Sequence, residues 1–194
     1  MKKNLSIFII SCFIATSFAQ SEIIKKDLMV QAFYTINHEP LYWYTSRKDT
    51  KRATEWLTAI ESAKDAGIVS RKLLTGEIRT AMLGKNIRSK IAKAETDKRI
   101  TGVVLNFLKE LQQVSVHFDY NEVCTPVNDS VFIHQLLNSK DKGPVSKIVS
   151  ELDCQNHDYQ VLKKFLNDSI PDKNSLKYKS VALSMNYLKY ISCI

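Results

Sequence analysis

Glycine and proline are scarce in this chain, with five and four in 194 residues. No low-complexity stretch and no internal repeat is present, so linkers and solenoid arrays are excluded. Long apolar runs are also missing beyond the first 18 residues, so the rest of the chain is expected to be soluble, with no membrane-spanning segment. There is no Gly-rich phosphate loop, no His-Glu-x-x-His helix and no calcium loop. Those absences leave no recognised signature for a nucleotide or metal enzyme, and no cofactor is expected.

The N-terminus is distinctive. Lys2 and Lys3 precede an uncharged apolar run from Leu5 to Phe18, and Ser17-Phe18-Ala19 places small residues where a signal peptidase reads them. This is the layout of a secretory signal peptide over residues 1–19. The run is shorter than the ~20 residues a spanning helix needs, although a retained anchor is an alternative. Lipidation at Cys12 is another, because Ile9-Ile10-Ser11-Cys12 loosely fits a lipobox; the apolar run continues past Cys12, which fits that reading poorly. Cleavage after Ala19 would start the mature protein at Gln20, leaving one domain over residues 20–194. The chain is therefore expected to be exported.

The formal charge is +8, and losing Lys2 and Lys3 lowers it by two. The densest basic stretch runs from Lys85 to Arg99. Such a face attracts polyanions or acidic wall groups, or is simply a solvated helix surface. Nucleic acid is not an expected partner for an exported chain. Export permits disulfides. Of Cys124, Cys154 and Cys193, the favoured pair is Cys124 with Cys154, since Cys193 lies next to the terminus.

Apolar spacing is mostly helical. Ile24, Leu28, Ala32 and Ile36 recur every four residues, beside Met29 and Phe33, and this helix should stop before Pro40. Tyr42, Trp43 and Tyr44 follow in an extended or loop segment. Asp49 or Thr50 is expected to cap a second helix whose face is Ala53, Trp56, Leu57, Ile60 and Ala63, ended by Gly67. A short helix is predicted over Leu73 to Leu83. Thr96 or Asp97 is then expected to cap the strongest helix, with Ile100, Val103, Val104, Phe107, Leu108, Leu111 and Val114 in one stripe. Ser115 to Tyr120 is the one plausible strand, and Asn121 to Asn128 reads as a loop. Further helices are predicted over Asp129 to Ser139, after Pro144, over Asn156 to Asn167 and over Ser175 to Tyr190. The expected fold class is mainly α: a single helical domain of about seven or eight helices with at most one short strand.

Five segments, in order, resemble the scaffold domain of YcbB-like murein L,D-transpeptidases. They are Val30-Gln31-Ala32-Phe33-Tyr34 with Glu39-Pro40-Leu41-Tyr42-Trp43; Trp56-Leu57 to Ala66-Gly67-Ile68; Thr96 to Thr101 with Leu105 to Leu111; Val149 to Tyr159 with Leu162; and Val181 to Tyr190. The resemblance spans residues 24 to 192. It implies a scaffold linked to peptidoglycan remodelling. In that family the last of these helices leads into a catalytic domain with a His and a Ser-His-Gly-Cys motif. No glycine here adjoins a cysteine, so no catalytic residue carries over, and the scaffold is expected to stand alone and to be non-catalytic. A truncated remnant of a transpeptidase is a further alternative. The implied partners are peptidoglycan or an envelope transpeptidase.

Other constellations offer candidate chemistry. Cys154, His157 and Asp153 or Asp158 form the best nucleophile–base–orienter trio, set against a surface His157 and a buried or bridged Cys154. Zinc would need Cys154 and His157 to recruit Cys124 or His117, at no recognised spacing. His117 and Asp119 read as a surface pair. Glu55 with Glu61, or Asp153 with Asp158, read as helix-surface charges rather than a glycosidase pair. Tyr42, Trp43 and Tyr44 would serve as a glycan or partner contact if exposed, and would complete a core if not.

Overall fold

A computed structural model describes residues 28–69, 73–83, 89–113 and 127–192. Among the described residues there are eight helices and no strand. The predicted strand at Ser115 to Tyr120 lies outside them, as do residues 1–27 and the expected signal peptide.

Helix α1 is described over residues 28–37. It ends at His38, which takes a left-handed φ of 59° and donates from its amide to Tyr34 O at 3.1 Å. The stop before Pro40 is as predicted, but the buried face is not. Met29 and Phe33 are buried, whereas Leu28 and Ile36 are exposed. The packed side is centred on Met29 and Phe33, about 100° round the helix from Leu28, so the line through Leu28 and Ile36 lies at its edge. The α1 side that packs is the one that also carries Val30 and Tyr34.

Helix α2 spans Arg47–Asp65 and buries Ala53, Trp56, Leu57, Ile60 and Ala63, the predicted face. Its cap is Ser46, not Asp49 or Thr50: Ser46 Oγ accepts from the Asp49 amide at 3.1 Å. Asp49 instead lies in the first turn, where its carboxylate accepts the Ser46 hydroxyl at 2.7 Å and also that of Thr45. Gly67 closes the helix at φ 69°, and the Ile68 amide returns to Ala63 O at 2.9 Å. That is the left-handed closure for which glycine is preferred. A Cβ at Gly67 would also meet the Tyr178 hydroxyl at 2.9 Å.

Helix α3 spans Thr75–Leu83 and α4 spans Lys90–Gln112. Ser89 caps α4, accepting from the Ala92 amide. Thr96 and Asp97, expected as caps, are buried inside the helix because it starts a full turn and more before them. Ile100, Val104, Phe107, Leu108 and Leu111 line its core side as predicted. Gly102 has a packing reason: its Cβ would sit 3.3 Å from Val30 on α1, which crosses closely there. Helices α5 (Asp129–Asn138), α6 (Val145–Leu152), α7 (His157–Ser169) and α8 (Leu176–Ile191) follow. Asn128, Asn156 and Ser175 cap α5, α7 and α8 with their side chains, and Pro144 stands at the start of α6. Helices α2 and α4 pack on each other at the centre; α3 lies against both, α5 against α4, α6 against α2, and α7 pairs with α8.

Candidate functional site

The aromatic turn is the first test of a surface site, and it faces inward. Tyr42 is 3% and Trp43 1% exposed, while Tyr44 is half-buried. Neither Tyr42 nor Trp43 offers a ring face for a sugar to stack on, which corrects the expectation of a contact surface there. The rings instead form an edge-to-face series, with Phe33–Tyr42 centroids 5.0 Å apart and Tyr42–Trp43 4.7 Å apart.

What holds the turn is Asp97. Its carboxylate accepts from the Tyr42 amide at 3.0 Å, from the Trp43 amide at 2.8 Å and from the Tyr34 hydroxyl. Thr101, one helical turn along α4, accepts from Trp43 Nε1 at 2.9 Å and lies 2.9 Å from the Tyr34 hydroxyl. Burial raises the Asp97 pKa above the ordinary carboxylate value, against the opposing pull of the hydrogen bonds from Tyr34 and the 42–44 amides. The Tyr42 hydroxyl continues the path to Leu136 O at the end of α5. Arg52 then ties the loop after α5 to α2, donating to Ser139 O at 2.7 Å and Gly143 O at 2.8 Å. Sequence reasoning placed Asp97 at a helix start. Its true role needed the knowledge that it faces two backbone amides more than 50 residues away.

A second polar cluster joins α7 and α8 to the centre. Asp153 is buried and accepts from the Tyr159 hydroxyl at 2.8 Å and from Lys163 Nζ at 2.6 Å. Lys189 is buried too, donating to Ile68 O at 3.3 Å and Glu110 O at 3.2 Å, with its ammonium 5.6 Å from the Tyr159 ring centre. Burial lowers its pKa below the usual lysine value, and the charges of Asp153, Cys154 and Glu110 act in the other direction.

That arrangement does not assemble a nucleophile, base and orienter. Cys154 is a half-buried free thiol whose hydrogen-bond partner is Ser192 Oγ, at 4.0 Å. His157 is exposed at the start of α7, and Asp153 is engaged by Tyr159 and Lys163. Cys124, the expected disulfide partner of Cys154, lies outside the described residues, as do His117 and Asp119. Glu55 and Glu61 each pair with a cation on their own helix, Arg52 and Lys64. Among the described residues no group of three His, Cys, Asp or Glu side chains is placed to hold a metal ion, and no helix is long and apolar enough to cross a membrane.

Open grooves are present among the described residues, two of which bear on binding. One of about 850 Å³ lies between α1, α3 and α4, with Val30, Tyr34, Ile78 and Gly102 at its floor and Lys98 and Arg99 at its rim. Arg99 pairs with Glu77 at 3.2 Å. The other, of about 680 Å³, runs between α2 and α6. Ala59, Ala63, Val145 and Val149 give it an apolar floor, and Thr58 and Ser146 stand among its polar walls. Neither groove gathers ionisable side chains suited to covalent chemistry.

A family model described as the scaffold domain matches residues 29–166. The chain belongs to the scaffold-domain family of L,D-transpeptidases. The matched segment holds the whole Asp97 clasp, from Tyr34 through the aromatic turn to Thr101, and both grooves with the exception of Asn167. A scaffold domain is non-catalytic in its family. No curated protein and no solved structure matches the chain.

Proposed function

We propose that this scaffold domain acts by binding, as an exported component of the bacterial envelope linked to peptidoglycan remodelling by L,D-transpeptidases. The match to the scaffold-domain family over residues 29–166 carries the reading. The fold supports it physically. Among the buried polar residues, Asp97, Thr101, Asp153 and Lys189 are spent on partners that tie one helix to another. A fold that invests its buried charge in rigidity presents fixed surfaces. The α2–α6 groove is the proposed contact for a transpeptidase, because its floor of Ala59, Ala63, Val145 and Val149 is apolar and its walls carry charges of both signs in Lys51, Glu55 and Lys163.

The test uses the full chain with an L,D-transpeptidase catalytic domain and, separately, with isolated sacculi near physiological salt. Binding of the catalytic domain, lost in Ala59→Arg with the melting temperature unchanged, supports the proposal. Sedimentation with sacculi alone would make the domain a wall-binding module. Binding to neither would overturn the reading. Export is checked on the native protein: it should be recovered from the envelope fraction with Gln20 as its first residue, and an uncleaved cytosolic chain would contradict it.

A further inference from the structure

Helices α7 and α8 form a hairpin, and its two open ends meet at one point. Lys189, in the last turn of α8, holds its ammonium 5.6 Å from the ring centre of Tyr159, in the first turn of α7. Just before α7, Cys154 is a half-buried free thiol with its Sγ 4.0 Å from Ser192 Oγ. Ser192 closes α8: its amide returns to Leu188 O at 3.2 Å, and its hydroxyl donates to the same carbonyl at 2.6 Å. The residue after Ser192 is Cys193. Cys193 lies outside the described residues, but the residue to which it is bonded stands against Cys154. Position in sequence disfavoured Cys193 as a partner, because it falls next to the terminus. The hairpin removes that objection, since it carries residue 192 back across 38 positions to residue 154.

We infer that Cys154 and Cys193 join in a disulfide when the chain meets an oxidant, closing the α7–α8 hairpin at its open end. Consecutive Cα atoms are about 3.8 Å apart, and a disulfide links Cα atoms about 4.4–6.8 Å apart. Ser192 already sets its own side chain against the Cys154 sulfur. Turning the Ser192 ψ and the Cys193 φ and χ1 therefore brings the second sulfur to the first, and no helix has to move. The other side of the junction is fixed: Asp153 is buried and held by the Tyr159 hydroxyl at 2.8 Å and by Lys163 Nζ at 2.6 Å. The electrons pass to a small disulfide such as glutathione disulfide. One cysteine thiolate attacks it, forming a mixed disulfide and releasing one glutathione thiol. The other thiolate attacks the protein sulfur of that mixed disulfide and releases the second. The chain loses two protons and two electrons, and the oxidant gains them. In the cell the oxidant depends on the export proposed above; in vitro glutathione disulfide supplies it, so the two readings fail separately. The bond fastens the last turn of α8, from which Lys189 reaches Ile68 O and Glu110 O in the centre of the fold.

The test equilibrates the full chain with glutathione disulfide, blocks the remaining thiols and digests with trypsin without reduction. Peptides 148–163 and 190–194, which carry Cys154 and Cys193, should be recovered joined and should separate on reduction. The oxidised chain should melt about 5 °C or more above the reduced one, as closing a loop of this length predicts. Cys193→Ser should melt with the reduced chain under both conditions, which also shows that the variant folds. Cys124→Ser should keep the whole shift. Cys154 left unjoined at equilibrium, or joined to Cys124 or Cys12, overturns the inference. So does a melting shift that survives Cys193→Ser.

Discussion

The backbone amide of Trp43 donates to the Asp97 carboxylate across 2.8 Å, though the two residues stand 54 positions apart. One buried side chain on α4 thus sets the course of the chain between α1 and α2. Asp97→Asn keeps the shape but replaces one acceptor oxygen by a donor that faces backbone N–H groups. It should lower stability by about 2–4 kcal/mol, as expected when a charge-assisted buried network loses its acceptor. Urea unfolding measures it. Tyr34→Phe should cost about 1 kcal/mol, and the double variant less than the sum, because both act on one network.

Tyr44 makes the contrasting case. Its hydroxyl is buried with no hydrogen-bond partner among the described residues, and burial, with the Asp97 charge, pushes its pKa up to about 12. Tyr44→Phe removes an unsatisfied polar atom at almost constant volume. Thermal unfolding should show a change within about 0.5 kcal/mol or a gain, the opposite of Tyr34→Phe.

Arg52 spreads its guanidinium over Ser139, Lys142 and Gly143 carbonyls and the Glu55 carboxylate. Arg52→Lys keeps the charge and loses the planar fork. It should recover less than half of the roughly 2 kcal/mol lost in Arg52→Ala, and hydrogen exchange should rise first in the 139–143 loop.

Lys189 predicts a pH effect. Its folded pKa is depressed by burial below 10.5, so between the two values the unfolded chain binds the extra proton. Stability from this group is complete above pH 10.5 and is lost as pH falls through the folded value. Tyr34, Tyr42 and Tyr159, raised by burial, contribute with the opposite sign above pH 10. The readout is therefore a difference: the stability of the chain minus that of Lys189→Met should rise with pH up to 10.5. A flat difference would refute the assignment.

Much of the helix order was legible in sequence, for local reasons. The α2 face, the Gly67 stop and the Asn156 and Ser175 starts depend on residues within one or two turns of each other. What misled was also local. Asp49 and Asp97 are good cap types, yet serine stood at the true cap in both helices, and the acids were needed elsewhere. Leu28 and Ile36 looked like core by type, but α1 turns its Met29–Phe33 side inward. The aromatic turn was the hardest case. Whether Tyr42 and Trp43 face water depends on an acceptor on α4 and a carbonyl on α5, and neither can be seen in a window around residue 43.

Helix α8 reaches back to the oldest part of the fold in chain order. The Tyr178 hydroxyl donates to Asp65 O, and the Lys189 ammonium reaches Ile68 O and Glu110 O. Asp65 O and Glu110 O are among the final carbonyls of α2 and α4, left open by helix geometry, and Ile68 O lies just past the Gly67 stop. A fragment trimmed at residue 166, where the family match ends, would sever all three attachments and strip α7 of its neighbour. The boundary drawn by kinship and the boundary of cooperative unfolding therefore differ, and expression of this domain should follow the second.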